Sequence, residues 1–346
     1  RARHQFQRPL SDFDLVKQRI ANMSALTYAM DAMLYMTTGF LDRKDSDIMV
    51  ETAICKTFCS EMGWRVVNDA IQIMGGESYM TENEVERAFR DSRINIIVEG
   101  ANEVMQCFIF GYGGKSLAEQ MVGVQERLLW NGDESFGGNV SRILKNSLDP
   151  KVMGLAIPLG LELFLGLKKA APKLTKVHPS LSGPASRIGW LIREHSHQFK
   201  IASKINKEKI LERQTVQARV GDVAIYLHAM VCTLSKLDQQ LRAGHDTEEF
   251  ARDKAAAMHF FELAEGWIHE RWRAIHKHAD VSMREAAAKA IAHNDTLPTD
   301  RFVTPERSPV AQNHGRTPDQ TAIRQFPGDG YQARTGRQLQ EQAHQH

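Results

Sequence analysis

Residues 53–76 read AICKTFCSEMGWRVVNDAIQIMGG and decide the fold of the first part of the chain. Their apolar residues recur three or four positions apart, which is the spacing of a helix with one buried face. These residues are Ile54, Phe58, Met62, Val66, Ala70 and Ile73. The pair Gly75-Gly76 ends the pattern, because glycine favours the conformations that terminate helices. The stretch predicts a long amphipathic helix that begins near Ser46.

Further helices are predicted on both sides of this stretch. An apolar helical pattern precedes it, and its start at Ser11 and Asp14 resembles a capping box. A short helix capped by Thr81 follows, and another runs from near Gly100 to about Gly111. Four antiparallel helices are therefore expected at the beginning of the chain.

The rest of the sequence is also predicted to be helical, since strand signals are almost absent. The helical patterns lie at about 183–204, 206–243 and 247–278 and near Ser282–Ala292. We expect an all-α chain with an antiparallel four-helix bundle at 1–115, a linker at 116–149, a second helical domain at 150–294 and a tail at 295–346. The tail has few apolar residues and is expected to be disordered.

Composition limits the classes of function. The 346 residues, 42% of them hydrophobic, suffice for two domains with sizeable cores. Forty-four basic and 42 acidic residues leave a formal charge of +2, which does not indicate a nucleic-acid binder. No apolar run reaches the roughly 18 to 20 residues that a membrane-spanning helix needs. Because the first residue is Arg1, we expect the sequence to begin inside a larger protein, and no targeting peptide can be identified.

No metal site is expected. Cys55 and Cys59 lie one helical turn apart and could form a metal pair, but no further ligand follows at zinc-site spacing. They are expected to be reduced core thiols of an intracellular protein. His269, His276 and His278 fit no metal signature, and their position at a helix end favours an interaction with the helix dipole instead.

Residues 150–172 form an apolar stretch with a basic end, Lys168-Lys169. A core helix of the second domain is the favoured interpretation. Peripheral contact with a membrane is the alternative that the composition leaves open.

Three local features stand out from this helical background. Gln72-Ile73-Met74-Gly75-Gly76 combines an amide side chain with two glycines, which suits the edge of a phosphate or dinucleotide but equally a simple helix end. In Val98-Glu99-Gly100-Ala101-Asn102-Glu103 a carboxylate stands at a helix start. Burial there would favour its neutral form and the helix dipole its charged form, although a solvated helix end is the simpler interpretation. The opening residues 1–10 are basic around Phe6 and could be a flexible arm.

In this order the three features resemble the C-terminal domain of the acyl-CoA dehydrogenases. In that family Arg-x-x-Phe-Gly precedes the first long helix, Gln-x-x-Gly-Gly ends the next, and Arg-Asp and Glu-Gly-Thr follow. The chain has the corresponding segments Arg3-His4-Gln5-Phe6, Gln72-Ile73-Met74-Gly75-Gly76, Arg90-Asp91 and Glu99-Gly100-Ala101. The resemblance covers roughly residues 1–115. The extra helices resemble the very-long-chain subgroup and its relative associated with respiratory complex I assembly.

The resemblance implies a role for each matching residue. Glu99 falls on the catalytic base, with Val98 and Gly100 beside the substrate. Ala101 and Glu103 fall near the FAD of the same active site. The residues implied to contact the FAD of a partner subunit are Arg3, Phe6, Gln72, Gly75 and Gly76.

The implied activity is that of an FAD-dependent dehydrogenase that converts a long-chain fatty acyl-CoA to the trans-2-enoyl-CoA, and this portion alone is expected to be inactive. Implied partners are acyl-CoA, an electron-transferring flavoprotein and a second copy in a homodimer. An acyl-CoA oxidase and a largely non-catalytic helical assembly protein are the alternatives. A bacterial cytoplasm, with peripheral membrane contact, is the expected location, and mitochondria are the alternative.

Three positions depart from the family pattern. Gln7 stands where the family usually has Gly, Val98 where an aromatic residue commonly precedes the base, and Ala101 where Thr is usual. The missing hydroxyl removes one hydrogen bond, worth on the order of 1 kcal/mol. These departures keep the non-catalytic alternative open.

Overall fold

A computed structural model describes residues 3–45, 47–244 and 247–296 of the chain. The predicted all-α fold is confirmed: the described residues form ten α-helices, and their one sheet is a two-stranded hairpin. The strands are β1 (His4–Gln5) and β2 (Arg8–Pro9). The helices are α1 (Asp14–Asp42), α2 (Met49–Met74), α3 (Glu84–Arg93), α4 (Asn102–Leu128), α5 (Phe136–Ser147), α6 (Pro150–Leu165), α7 (Ser182–Asn206), α8 (Gln214–Ala243), α9 (Glu248–His276) and α10 (Asp280–Asn294).

One hydrophobic core joins the early helices to the later ones. Phe58 of α2 meets Phe260 of α9 edge to face, with ring centroids 5.9 Å apart, and both side chains are fully buried. At Gly221 of α8, an added Cβ would lie 2.7 Å from the carbonyl oxygen of Gln106 in α4. Glycine is required there because α4 and α8 touch backbone to backbone. Helices α8 and α9 therefore pack directly against α4 and α2.

Two predicted helix starts were wrong. Helix α1 begins after Phe13 rather than at a capping box, because residues 10–12 form a separate 3-10 turn after Pro9. Helix α3 is capped by Asn83, whose side-chain oxygen accepts the backbone N–H of Val85 at 2.9 Å. The predicted cap at Thr81 lies outside that helix.

The predicted end of the fourth helix near Gly111 was also wrong, since α4 continues to Leu128. One of its glycines, Gly114, serves packing instead of termination. A Cβ on Gly114 would lie 2.6 Å from the ring of Phe199 in α7, so the absence of a side chain lets that ring approach the helix. A sequence pattern cannot distinguish such a glycine from a stop signal.

Helix α8 is long and apolar enough to cross a membrane by length and composition, which the sequence had not led us to expect. However, 72% of its most apolar window is buried inside the protein, as in a core helix. Helix α10 belongs to a second compact unit that begins at Ala279. The domain boundaries at 115, 149 and 294 stay predictions, and all but the first two residues of the predicted tail lie outside the described residues.

Candidate active site

The loop between α3 and α4 holds Glu99 in an unusual conformation. Its φ is 56° and that of Gly100 is 87°, so two consecutive residues adopt the left-handed region. A glutamate there costs on the order of 1 to 3 kcal/mol and persists only where surrounding contacts enforce it. The Glu99 side chain is exposed.

Gly100 cannot be replaced without rearrangement. A Cβ at this position would lie 2.1 Å from the terminal methyl of Met105, one turn further along the chain. The positive φ adds a second reason for glycine. The positive φ is therefore the main local reason for glycine at position 100, since the flexible end of the Met105 side chain can shift.

One lysine of helix α2 binds the loop that contains Glu99. Lys56 Nζ donates to the carbonyl oxygen of Gly100 and to Oδ1 of Asn102, each at 2.7 Å. Asn102 Nδ2 in turn donates to Ser60 Oγ and to Glu61 Oε1, each at 2.9 Å. Asn102 is only 2% exposed, so its amide is fully committed to these partners.

The contact between Lys56 and the Glu99 loop is also electrostatic. Partial burial lowers the pKa of Lys56, and the negative charges of Glu61, Glu103 and Glu99 oppose that shift. Glu99 and Glu103, two of the residues predicted from the sequence, therefore lie within the field of one ammonium group.

The backbone around Glu99 offers a hydrogen-bond donor. Among the residues that the structure describes, the Glu99 N–H has no hydrogen-bond partner. Next to it Ala101, the N-cap of α4, has no side chain that can accept a backbone N–H. The start of α4 is therefore an electropositive end with amide donors available.

Apolar side chains border the carboxylate. Ile97 is 53% exposed and Val98 41% exposed, directly before Glu99. The apolar segment that the sequence placed here is thus a surface, formed by the 3-10 turn Ile94–Ile96 and the residues after it. A base with an apolar border suits a substrate that combines a reactive carbonyl with a hydrocarbon.

The remaining predicted residues meet at the other end of α2. Gly75 has φ 74° and ψ −153°, a combination that essentially only glycine adopts. A Cβ on Gly75 would lie 3.9 Å from Nη1 of Arg3, whereas one on Gly76 would meet nothing within 4 Å. Gln72 is exposed beside them. The structure therefore brings Arg3 onto the Gly75-Gly76 turn with open space at its edge.

Phe6 and Gln7 form the two-residue turn of the β1–β2 hairpin. Their φ values are 51° and 66°, so Gln7 occupies the left-handed conformation at the position where the family usually has Gly. Phe6 is 87% exposed, with its ring against the edge of Phe13. The sequence had suggested a flexible arm here, and the structure forms a hairpin instead.

The two groups of predicted residues are far apart. Lys56 marks the Glu99 group and Met74 the glycine group, and the 18 residues between them along α2 correspond to about 27 Å. The family resemblance assigned these groups to the flavins of two different subunits. The separation agrees with that assignment, which stays a prediction.

Sequence reasoning missed three residues of these groups. Lys56 and Asn102 tether the Glu99 loop, and buried Ser78 donates from Oγ to the carbonyl of Gly75 at 2.7 Å. A signal existed for Lys56, because it lies among the buried residues Ala53, Thr57 and their neighbours on α2. A cation in that position requires a buried acceptor.

The cysteine pair does not belong to either group. The Sγ atoms of Cys55 and Cys59 lie 4.0 Å apart, and the hydrogen bond between them lowers the pKa of Cys55 to about 7 while it raises that of Cys59. Within the described ranges, no cluster of three or more metal-ligating side chains was found.

Comparison with known proteins identifies this arrangement. Residues 1–110 match the family described as acyl-CoA dehydrogenase, C-terminal domain. The chain therefore carries the C-terminal domain of the acyl-CoA dehydrogenase family, and the resemblance drawn from the sequence is confirmed.

Individual relatives extend the match beyond that domain. The very long-chain specific acyl-CoA dehydrogenase of Mus musculus mitochondria is 34% identical over 251 residues, which is 71% of this chain and 35% of the relative. A probable acyl-CoA dehydrogenase of Bacillus subtilis is 33% identical over 163 residues, 40% of this chain and 27% of the relative. The chain thus spans about a third of the mouse relative it matches.

A solved structure shares the fold. An acyl-CoA dehydrogenase from Bacillus anthracis, complexed with FAD, superposes with a TM-score of 0.59 at 21% identity. The match covers 82% of this chain and 46% of that one. The fold therefore extends through most of the helices beyond residue 110.

Proposed function

We propose that the protein carrying this chain is an FAD-dependent acyl-CoA dehydrogenase that forms trans-2-enoyl-CoA from long-chain fatty acyl-CoA. The observation that carries the proposal is Glu99, a strained and exposed carboxylate in a loop tethered from below. Strain of this kind is kept at functional sites, where it preorganises a reactive group.

Glu99 is the proposed base. Its carboxylate takes the α-proton of the thioester, and the electron pair of that C–H bond forms the new double bond as a hydride leaves the β-carbon. The Glu99 N–H donates to the thioester carbonyl, where negative charge develops, and so makes the α-proton more acidic. Both tasks can fall to one residue because the Glu99 side chain is exposed and its backbone N–H has no hydrogen-bond partner among the described residues.

The residues present fit FAD. The glycine-only backbone at Gly75, with the Arg3 guanidinium beside it and open space at Gly76, is a cradle for an anionic pyrophosphate. Gln72 and Phe6 would complete this contact, and Ala101 and Glu103 would face the second flavin. When bound, FAD supplies the acceptor for the hydride from the β-carbon.

Long-chain acyl-CoA is the proposed substrate class, and the very long-chain specific relative supports it. The apolar border of Ile97 and Val98 suits a hydrocarbon chain. We propose a homodimer, since the Arg3 group lies about 27 Å along α2 from the Glu99 group and would serve a partner's flavin. An electron-transferring flavoprotein is the proposed electron acceptor.

The test uses the complete protein rather than this chain alone. Purified holoprotein with palmitoyl-CoA and an artificial electron acceptor should yield trans-2-enoyl-CoA, detected by mass spectrometry. Hydrogen peroxide formed in air at the same rate, without added acceptor, would indicate an oxidase. Absence of enoyl-CoA across a series of acyl chain lengths would favour the non-catalytic assembly protein.

We also propose peripheral membrane contact through α6 in a bacterial cytoplasm. One side of α6 is anchored, because Lys200 Nζ donates to buried Glu162 at 2.7 Å. Ile157, Phe164 and Leu165 of α6 are exposed, and the exposed Lys169 follows the helix. An apolar helix face followed by cations is typical of interfacial helices.

Co-sedimentation with anionic phospholipid vesicles tests this contact. The double variant Phe164→Ser and Leu165→Ser should lose vesicle binding, while Leu15→Ser, an equally exposed leucine of α1, should keep it. Equal binding by all three proteins would contradict the proposal.

A further inference from the structure

The Glu99 loop requires a support that the family pattern does not name. Two successive left-handed residues are followed at once by an N-cap without a side-chain acceptor. Gly100 permits its own positive φ, but nothing in residues 98–101 favours the left-handed conformation of Glu99. The energy that holds it must therefore come from contacts made by other elements.

The contacts come from one face of α2. The ammonium of Lys56 binds the Gly100 carbonyl, which belongs to the peptide directly after the left-handed pair. The same ammonium binds Asn102 Oδ1, and this fixes which way the Asn102 amide faces. Ser60 and Glu61 then accept the two N–H groups of that amide. The C-terminal end of the turn is thus fixed to α2 at two points, the Gly100 carbonyl and the Asn102 side chain.

We propose that Lys56 is a positioning residue for catalysis, which acts through Gly100 and Asn102 to hold the Glu99 carboxylate and amide in their working arrangement. The inference rests on the proposed function. Lys56 does not touch substrate in this role, and its effect is on the orientation of the base.

A charged donor suits this role better than a neutral one. Hydrogen bonds from an ammonium are roughly twice as strong as those between neutral groups. Lys56 is partly buried, so its bonds to Gly100 and Asn102 are only partly screened by water. A charge-assisted clamp of this kind offsets strain in the loop.

The support continues into the later helices. One turn after Asn102, Gln106 Nε2 donates to Asp222 Oδ1 of α8 at 2.6 Å. Arg271 of α9 donates to the other carboxylate oxygen at 2.7 Å. The start of α4 is therefore held by α2 on one side and by the α8–α9 pair on the other.

The test is Lys56→Met in the complete holoenzyme. Turnover should fall roughly 10- to 100-fold, because displacement of a catalytic group by about 1 Å has that effect. KM for acyl-CoA should change little, since the substrate-binding surface is intact. The matched control is Lys236→Met, which removes a half-buried lysine paired with Asp31 far along the chain and should keep wild-type turnover.

A second readout isolates the proton step. A 3-thia acyl-CoA has sulfur in place of the β-carbon, so it can lose an α-proton but cannot give up a hydride. Exchange of its α-hydrogen for solvent deuterium should slow in Lys56→Met as much as turnover does. Lys56→Arg keeps a cationic donor and should recover part of the rate. If Lys56→Met does not fold, Asn102→Ser removes the same clamp through its other member.

Two results would overturn the inference. One is wild-type turnover and exchange in folded Lys56→Met, and the other is an equal loss in Lys236→Met. Failure of the proposed function is a separate outcome, because it would show as absence of enoyl-CoA from the wild-type holoprotein or as full turnover in Glu99→Gln. Loss of turnover in Glu99→Gln with normal rates in Lys56→Met would remove only the positioning role.

Discussion

Ala101 shows how one residue serves both a helix and a site. It is the N-cap of α4, where Ser, Thr, Asp or Asn normally accepts a backbone N–H, and its methyl group cannot. The family usually has Thr at this position. The chain has therefore given up a cap hydrogen bond beside its candidate base, and the start of α4 depends more strongly on Lys56 and Asn102.

Ala101→Thr should restore the cap. We expect the free energy of unfolding to rise by about 1 kcal/mol, because the hydroxyl can accept a backbone N–H of the first turn. Ala101→Val is the matched control, since it has the shape of Thr without the oxygen. Thermal denaturation of the three proteins measures the difference. A valine variant as stable as the threonine variant would show that packing, not capping, is responsible.

For the helices, the sequence predicted which ones are present far better than where each begins and ends. The 3.6-residue apolar period of α2 and the Gly75-Gly76 stop were sufficient to place that helix. Helix α4 was predicted to end near Gly111, whereas it continues to Leu128 and the missing side chain of Gly114 accommodates the ring of Phe199. Such a contact depends on a residue 85 positions away, which no local pattern contains.

Helix α7 contains a titratable group with a predictable effect on stability. The Nδ1 atom of His195 is buried without a hydrogen-bond partner among the described residues, and burial lowers the pKa of His195 to about 4. The unfolded chain takes up a proton as the pH falls through about 6.5, but the folded protein does not until about 4. The native state therefore loses stability over that interval, by about 2 kcal/mol at pH 5.

His195→Phe should flatten this decline, since phenylalanine does not titrate. Urea denaturation at pH 8 and pH 5 gives the two free energies of unfolding whose difference is compared with wild type. His276→Phe, an exposed position on α9, serves as the control and should leave that difference unchanged. An undiminished loss of stability in His195→Phe would mean that another group causes it.

At the scale of the whole molecule, the candidate residues were predictable in identity but not in arrangement. An ordered set of motifs identified Glu99, Arg3 and the Gly75-Gly76 turn. Only the fold shows that Arg3 lies on Gly75. It also shows that these two residues are separated from the Glu99 group by about 27 Å along α2. Lys56 escaped prediction because its partners, Gly100 and Asn102, lie more than 40 positions further along the chain.

The later helices also acquire a role at this scale. Helices α8 and α9 share a core with α1 and α2, and Asp222 supports the first turns of α4 through Gln106. A C-terminal extension joined in this way is part of the framework that holds the candidate site. The candidate site thus depends on residues well beyond the 110 that match the family domain.

We propose Glu99 as the base of an acyl-CoA dehydrogenase. Glu99→Gln in the complete holoprotein keeps the shape of the side chain but cannot take the α-proton. Turnover of palmitoyl-CoA should fall by roughly 10²- to 10⁴-fold, the usual contribution of a general base, while acyl-CoA affinity by calorimetry stays nearly unchanged. Turnover at the wild-type rate in Glu99→Gln would contradict the assignment of Glu99 as the base.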